Sequence, residues 1–405
     1  MCEHPDRRTF LKTMAIGAGV TAGAGVGWPG ISPSVMAGPV VTPQSVRPPY
    51  RGPNVILVRF GGGVRRRETI DPEHTYSAYL RHELTKRGTL FTNMEIDQIE
   101  GVNTSHGEGT LNLLTGIYDT YADVEGKFLG ARFEAKVPTL FEYLRKAYDI
   151  PPHQTLLING EDRTDEEFYT FSNHHLFGVK YRSHVLSLYR FKVYLLRRQI
   201  ELGRFKGAQM EAKTKELAEL EALDYRQTDR EGQGDAIEGF WEAWRQYYGE
   251  TGLVNPRGDR LLTELAIRAI KTLRPKLMMI NYQDPDYVHW GYLSHYTRGI
   301  AVIDQGIQRL VATVEADEAY RDNTVFVVVP DCGRDSNRCM AVPCQHHFNS
   351  KSSHELWAML FGPGIAAGQV VDKPVSQIAT AATIGKIMGF DASFAQGEVL
   401  AEAMA

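Results

Sequence analysis

Asn54-Val55-Ile56-Leu57-Val58-Arg59-Phe60 is an apolar run of strand length, and it ends in Gly61-Gly62-Gly63. A short run of this kind suits a strand buried on both faces, as in a parallel sheet, and the glycines suit a tight turn at its C-terminal end. Further apolar runs fall at 89–96, 154–159, 277–282, 324–329 and 355–361. Helix-patterned segments at 76–87, 106–115, 137–148, 258–273, 292–316 and 375–388 are interleaved with them. This alternation predicts an α/β fold, a large and mostly parallel sheet with helices on both faces.

The rhythm breaks between about 168 and 257, where aromatic and basic residues give way to alternating Glu, Lys, Ala and Leu. This stretch reads as a helical insertion within a domain spanning 54–405. It could be a solvated face, a cap over the site, or an arm that joins copies of the chain into a homo-oligomer. The net charge of -4 is nearly balanced for 405 residues, so the bulk electrostatics favour neither nucleic acid nor an anionic membrane as partner. Function is therefore sought in a site.

The N-terminal 37 residues have a different character. Arg7-Arg8-Thr9-Phe10-Leu11-Lys12 precedes a weakly apolar run from Thr13 to Gly27 that contains five glycines, and Val35-Met36-Ala37 offers a small-x-small cleavage site. The pattern resembles a twin-arginine signal, which implies export to the periplasm or beyond, with no membrane span left after cleavage. That run is too short and too weakly apolar for a span of its own. Residues 38–53 hold five prolines and read as a linker.

Cys2 would leave with the signal, and Cys332, Cys339 and Cys344 fall within thirteen residues. An odd number of cysteines in an exported chain implies at least one that is free, metal-bound or intermolecular. A Cys339–Cys344 disulfide is one outcome.

Four segments form a set. They are the strand ending at Gly61-Gly62; Leu111-Asn112-Leu113-Leu114-Thr115-Gly116-Ile117-Tyr118; Asp284-Pro285-Asp286-Tyr287-Val288-His289; and Val327-Val328-Val329-Pro330-Asp331-Cys332-Gly333-Arg334-Asp335, with His346-His347 and Gly362-Pro363-Gly364-Ile365 downstream. Together, over about 54–390, they resemble the alkaline phosphatase superfamily of phosphatases, sulfatases and phosphodiesterases. The resemblance implies hydrolysis of an anionic phosphate or sulfate ester at one or two divalent cations, zinc above all, held at the C-terminal ends of parallel strands.

Carried over residue by residue, the resemblance gives the first cation Asp286, His289 and either His347 or His346, with Asp284 as the fallback for Asp286. The second cation departs from the family. Phe60-Gly61 stands where the family has Asp-Gly, Cys332 replaces the His after Asp331, and His106 stands at the nucleophile position.

Three readings follow. His106, Asp331 and Cys332 could form a rebuilt second zinc site, with a bound water or the hydroxyl of Ser105 or Thr104 as nucleophile. Alternatively, one cation binds and His106 serves as general base or phosphoryl acceptor. In the third reading catalysis is lost, and the fold binds an anion or an envelope partner. Arg59, Arg65-Arg66-Arg67 and Arg334 could each hold an anion near the site, since guanidinium forks match phosphate and sulfate oxygens.

Overall fold

The strand read first, β1 (Asn54–Phe60), lies at the centre of the molecule and is buried along its whole length. The computed structural model describes residues 47–97, 102–118, 121–123, 133–160, 169–172, 177–222, 234–250, 258–290, 292–336, 344–346 and 350–405. After β1 come β2 (Gly88–Glu95), β3 (Tyr121–Asp123), β4 (Phe133–Ala135), β5 (Thr155–Asn159), β6 (His184–Leu186), β7 (Leu277–Asn281), β8 (Thr324–Pro330), β9 (Glu355–Phe361), β10 (Gln369–Val371) and β11 (Val375–Ser376).

Among the described residues the main sheet has nine strands in the order β10-β2-β9-β8-β1-β7-β5-β6, with β11 also paired to β2. All pairings are parallel except those of β9 with β8 and β2. β3 and β4 form a separate antiparallel pair. The mostly parallel sheet expected from the apolar runs is therefore present, with one reversed strand.

Side-chain alternation along each strand divides the interior into two layers. Ile56, Val58 and Phe60 of β1 join Leu156, Ile158, Met278, Ile280, Phe326 and Val328 in one layer. Val55 and Leu57 join Leu157, Met279, Val325 and Val327 in the other. The helices Leu188–Glu201, Gly234–Tyr248, Asp259–Thr272 and Leu293–Glu315 cover the first layer through Phe191, Trp241, Trp244, Leu265 and Ile303. The helices His106–Thr115, Leu140–Ala147 and Ala379–Met388 cover the second through Leu111, Leu114, Phe141 and Ile384. Burying each such aliphatic or aromatic side chain contributes roughly 1.5–3 kcal/mol.

The segment read as a helical insertion is more than an appendage. β6 extends the sheet beyond β5, and Phe191, Phe240, Trp241 and Trp244 belong to the first apolar layer. The helix Ala208–Ala222 alone has the character of an arm, since none of its residues is buried. Ion pairs such as Arg197 to Glu221 and Lys192 to Glu216 hold it to the helix Leu188–Glu201.

The end of the linker is also docked. Asp149 N donates to Pro48 O at 2.9 Å, and the rings of Tyr50 and Tyr148 meet edge to face at 5.0 Å. The signal segment lies outside the described residues. Among those residues, no helix is long and apolar enough to cross a membrane.

Candidate metal centre

Parallel pairing in register brings the C-terminal ends of β8, β1 and β7 level with one another: Phe60 faces Pro330, and Arg59 faces Asn281. The three loops that leave these ends carry the chemistry. Gly61 to Gly63 turn the chain tightly after β1. A Cβ on Gly61 would fall 1.9 Å from the carbonyl oxygen of Tyr282, and Gly62 and Gly63 take φ of +83° and +63°, which explains the three glycines. The turn clears space for Asp286 and His289 in the 3-10 segment Asp284–Trp290, and Asp331 follows β8 directly.

From the opposite side, the helix His106–Thr115 points its N-terminus into the centre. Ser105 caps it, accepting from Glu108 N at 3.2 Å. The helix comes this close because residue 109 is glycine; a Cβ there would meet the Asp331 carbonyl oxygen at 2.0 Å.

Four side chains converge. His289 Nε2, Arg334 Nη2 and His106 Nε2 lie 2.7, 2.9 and 3.0 Å from Asp286 Oδ1, and His346 Nε2 lies at 3.6 Å. The Nε2 atoms of His289 and His346 are 3.1 Å apart. His346 Nδ1 lies 2.7 Å from the carbonyl oxygen of Thr104, an acceptor, so that nitrogen carries the hydrogen and Nε2 offers a lone pair in the neutral ring. His106 differs: Nδ1 lies 2.5 Å from Asp331 Oδ2 and the buried Nε2 lies 3.0 Å from Asp286 Oδ1, so a carboxylate faces each ring nitrogen.

Asp331 is the most heavily engaged residue of the centre. Its Oδ2 accepts from Arg59 Nε at 3.1 Å and Nη2 at 2.5 Å as well as from His106, and its Oδ1 accepts from Gly63 N at 3.2 Å and Cys332 N at 2.8 Å. Arg59 also donates to Asn281 Oδ1, and Asn281 Nδ2 donates to Asn159 Oδ1 at 2.6 Å. A polar chain thus runs across the ends of β8, β1, β7 and β5.

Burial opposes the charged forms here, and neighbouring charge outweighs it. Arg59 and then His106 hold the Asp331 carboxyl well below the ordinary carboxylate range, and His106 and His289 do the same for Asp286. Burial would lower His106, but Asp331, Cys332 and Asp286 together raise it. The Cys332 thiol is pushed up to about 11 by burial and by Asp331.

Other candidate residues are engaged elsewhere. The Thr104 hydroxyl donates to the carbonyl of His346, and the Ser105 hydroxyl donates to Glu108 Oε2 at 3.0 Å while capping its helix. Both hydroxyl hydrogens are thus already donated. Arg334 is fully buried and donates to the carbonyls of Gly62, Gly63 and Cys344 and to Asp286, so it braces the loops rather than facing a substrate. Asp284 stands apart from the cluster: its Oδ1 accepts from Asp259 N at 3.1 Å, and Asp259 in turn accepts from Gln283 N and Asp284 N. Arg65 pairs with Glu68, and Arg66 holds Leu356 O and Met94 O. Cys332 is a free buried thiol, and Cys344 forms no disulfide among the described residues; His347 and Cys339 lie outside them.

No protein-family model and no curated protein matches the sequence. Solved structures do match. A protein in the alkaline phosphatase superfamily from Vibrio parahaemolyticus aligns with 12% identity over 88% of this chain and 71% of its own, at a TM-score of 0.52. A variant of the alkaline phosphatase PafA aligns with 11% identity over 88% and 99%, at a TM-score of 0.54. The chain has the alkaline phosphatase superfamily fold.

Of the two cations expected from the sequence resemblance, the residues fit one. His106, Asp286, His289 and His346 offer three imidazole nitrogens and a carboxylate within 4.8 Å of one another. A tetrahedral zinc ion with bonds of about 2.0–2.1 Å spaces its donors by about 3.3 Å, and the observed separations straddle that value. Arg334 answers the Asp286 carboxylate, and the imidazole lone pairs gathered beside it repel one another unless a cation or a proton lies among them. His106, Asp331 and Cys332 also lie within 4.8 Å of one another, but there both carboxylate oxygens are already engaged, Oδ2 by Arg59 and His106 and Oδ1 by the amides of Gly63 and Cys332. The residues therefore do not fit a second ion.

Proposed function

We propose that the chain is an exported hydrolase of phosphate or sulfate esters that depends on one divalent cation, with His106 acting in the nucleophile's place. The supporting observation is the buried His106, whose Nε2 lies 3.0 Å from Asp286 Oδ1 and faces the His289 and His346 cluster while Asp331 holds Nδ1. An aspartate on Nδ1 fixes the ring and raises its basicity, and a cation held by Asp286 would answer the charge that otherwise keeps Nε2 protonated, freeing it as a general base.

Asp286, His289 and His346 would hold the cation, and zinc suits this nitrogen-rich set. When bound, the ion supplies positive charge for the ester oxygens as negative charge grows on them. His106 Nε2 takes the proton of the attacking water as its oxygen bonds to phosphorus or sulfur. The bond to the alcohol oxygen breaks, and the alcohol leaves with the proton returned by the imidazolium. A cavity of about 160 Å³, lined in part by Tyr287, Asp286 and His289, opens beside these two ligands and would admit the ester from there.

A second reading rests on the same atoms. If His106 Nε2 completes a four-ligand zinc site, no open position remains and the chain is a binding module. Zinc-loaded protein should hydrolyse at least one of a phosphate monoester, a phosphate diester and a sulfate ester. His106→Ala should keep its zinc and lose about 100-fold or more in turnover, the scale of a general base. Inactivity across the panel at full zinc, with zinc lost in His106→Ala, would establish the binding module instead.

A further inference from the structure

We infer that the guanidinium of Arg59 stands in place of the second divalent cation, so that the centre combines one exchangeable metal ion with one covalently fixed cation. The inference is independent of whether the chain hydrolyses esters. It begins with Asp331, the acidic residue beyond β8 that would have to serve such an ion. Oδ2 takes Arg59 Nε, Arg59 Nη2 and His106 Nδ1, and Oδ1 takes the amides of Gly63 and Cys332. The side chains of Arg59 and Asp331 are both 0% exposed and meet directly at 2.5 Å, which leaves no room for an ion between them.

The remaining members of the would-be site are equally unsuited. Phe60, which ends β1, offers no ligand atom. His106 turns the hydrogen of Nδ1, not a lone pair, toward Asp331, because the carboxylate can only accept. Cys332 Sγ lies 3.8 Å from His106 Nδ1, close enough to share an ion, but that nitrogen is committed to Asp331.

Backbone geometry makes the arginine a permanent fixture. Arg59 faces Val329 in β8 and Asn281 in β7 by strand register, so its guanidinium spans the two neighbouring strand ends, reaching Asp331 on one side and Asn281 on the other. A guanidinium cannot be deprotonated at any pH the protein survives, nor can a chelator remove it. A second divalent ion beside it would meet like charge on one side and a fully satisfied carboxylate on the other.

Metal content tests this directly. The full chain, saturated with zinc and freed of excess, should carry one zinc by native mass spectrometry, and Cys332→Ala should carry one as well. Cobalt in place of zinc should give no thiolate-to-metal charge-transfer absorption. Two zinc ions in the wild type, loss of zinc in Cys332→Ala, or a thiolate-to-cobalt band would each overturn the assignment of Arg59. Binding of no zinc by the folded wild type would overturn the first cation site too, so the two failures are distinguishable.

Discussion

At the scale of single residues, the centre depends on how a buried charge is answered. Arg59 lies within the first apolar strand, and both it and Asp331 are fully buried. Arg59→Met leaves the Asp331 carboxylate buried against one imidazole and two amides, and removing one partner of a buried ion pair typically costs about 3–5 kcal/mol. A urea titration should show the midpoint falling accordingly. Arg59→Lys should recover little of the loss, because an ammonium lacks the planar fork that reaches Asp331 and Asn281 at once. A midpoint within experimental error of the wild type would mean that the pair contributes nothing. The arginine was visible in the sequence as a charge inside an apolar run, and buried charges must be paired. Its partner was not visible, since Asp331 is 272 residues away and only strand register brings the two together.

At the scale of elements, most of the framework was legible because long apolar strands and amphipathic helices carry their own period. The helix expected at 106–115 spans His106–Thr115, and the one expected at 258–273 spans Asp259–Thr272. The three-residue strands β6 and β10 were missed, because segments that short have no readable alternation and form only by pairing with a neighbour already in place. The resemblance pointed to Asp286 and His289 and left the third ligand open between His347 and His346, and the bracing by Arg334 and Asp259 depends on tertiary approach alone. Gly109 separates local preference from that approach. Alanine is the better helix former by about 1 kcal/mol, so propensity predicts that Gly109→Ala stabilises the helix. Contact predicts the reverse, because the methyl group would enter the Asp331 carbonyl and push the helix and His106 outward. Gly109→Ala should therefore lower the thermal midpoint and weaken zinc binding by about tenfold or more. A higher midpoint would show that the helix is free to shift.

At the scale of the whole molecule, one sheet serves two apolar layers, and carboxylates buried within this frame give its stability a pH dependence of definite sign. Glu142, which closes a capping box with Thr139 and also accepts from Ser172, is pushed up to about 7 by burial despite these donors. Asp304, which accepts from Tyr79 N and Leu80 N, is pushed up to about 6, again by burial. Both values exceed those of the unfolded chain, 4.5 and 3.8. Between about pH 4 and pH 7 the native protein therefore binds more protons than the unfolded chain, and these two groups lose their stabilising contribution as pH rises through the window. Asp286 and Asp331, held below the ordinary range, act oppositely, and their contribution is lost only as pH falls through more acidic values. Metal-free protein is the right sample, because a bound cation requires deprotonated ligands and would add stability toward higher pH. Its thermal midpoint should be higher near about pH 5 than near about pH 7.5. In Asp304→Asn the decline between about pH 4 and pH 6 should become shallower, since the amide does not titrate, although the lost second acceptor lowers the whole curve. A midpoint that climbs steadily from about pH 5 to about pH 7.5 would show that the amide and hydroxyl donors around these carboxylates outweigh their burial.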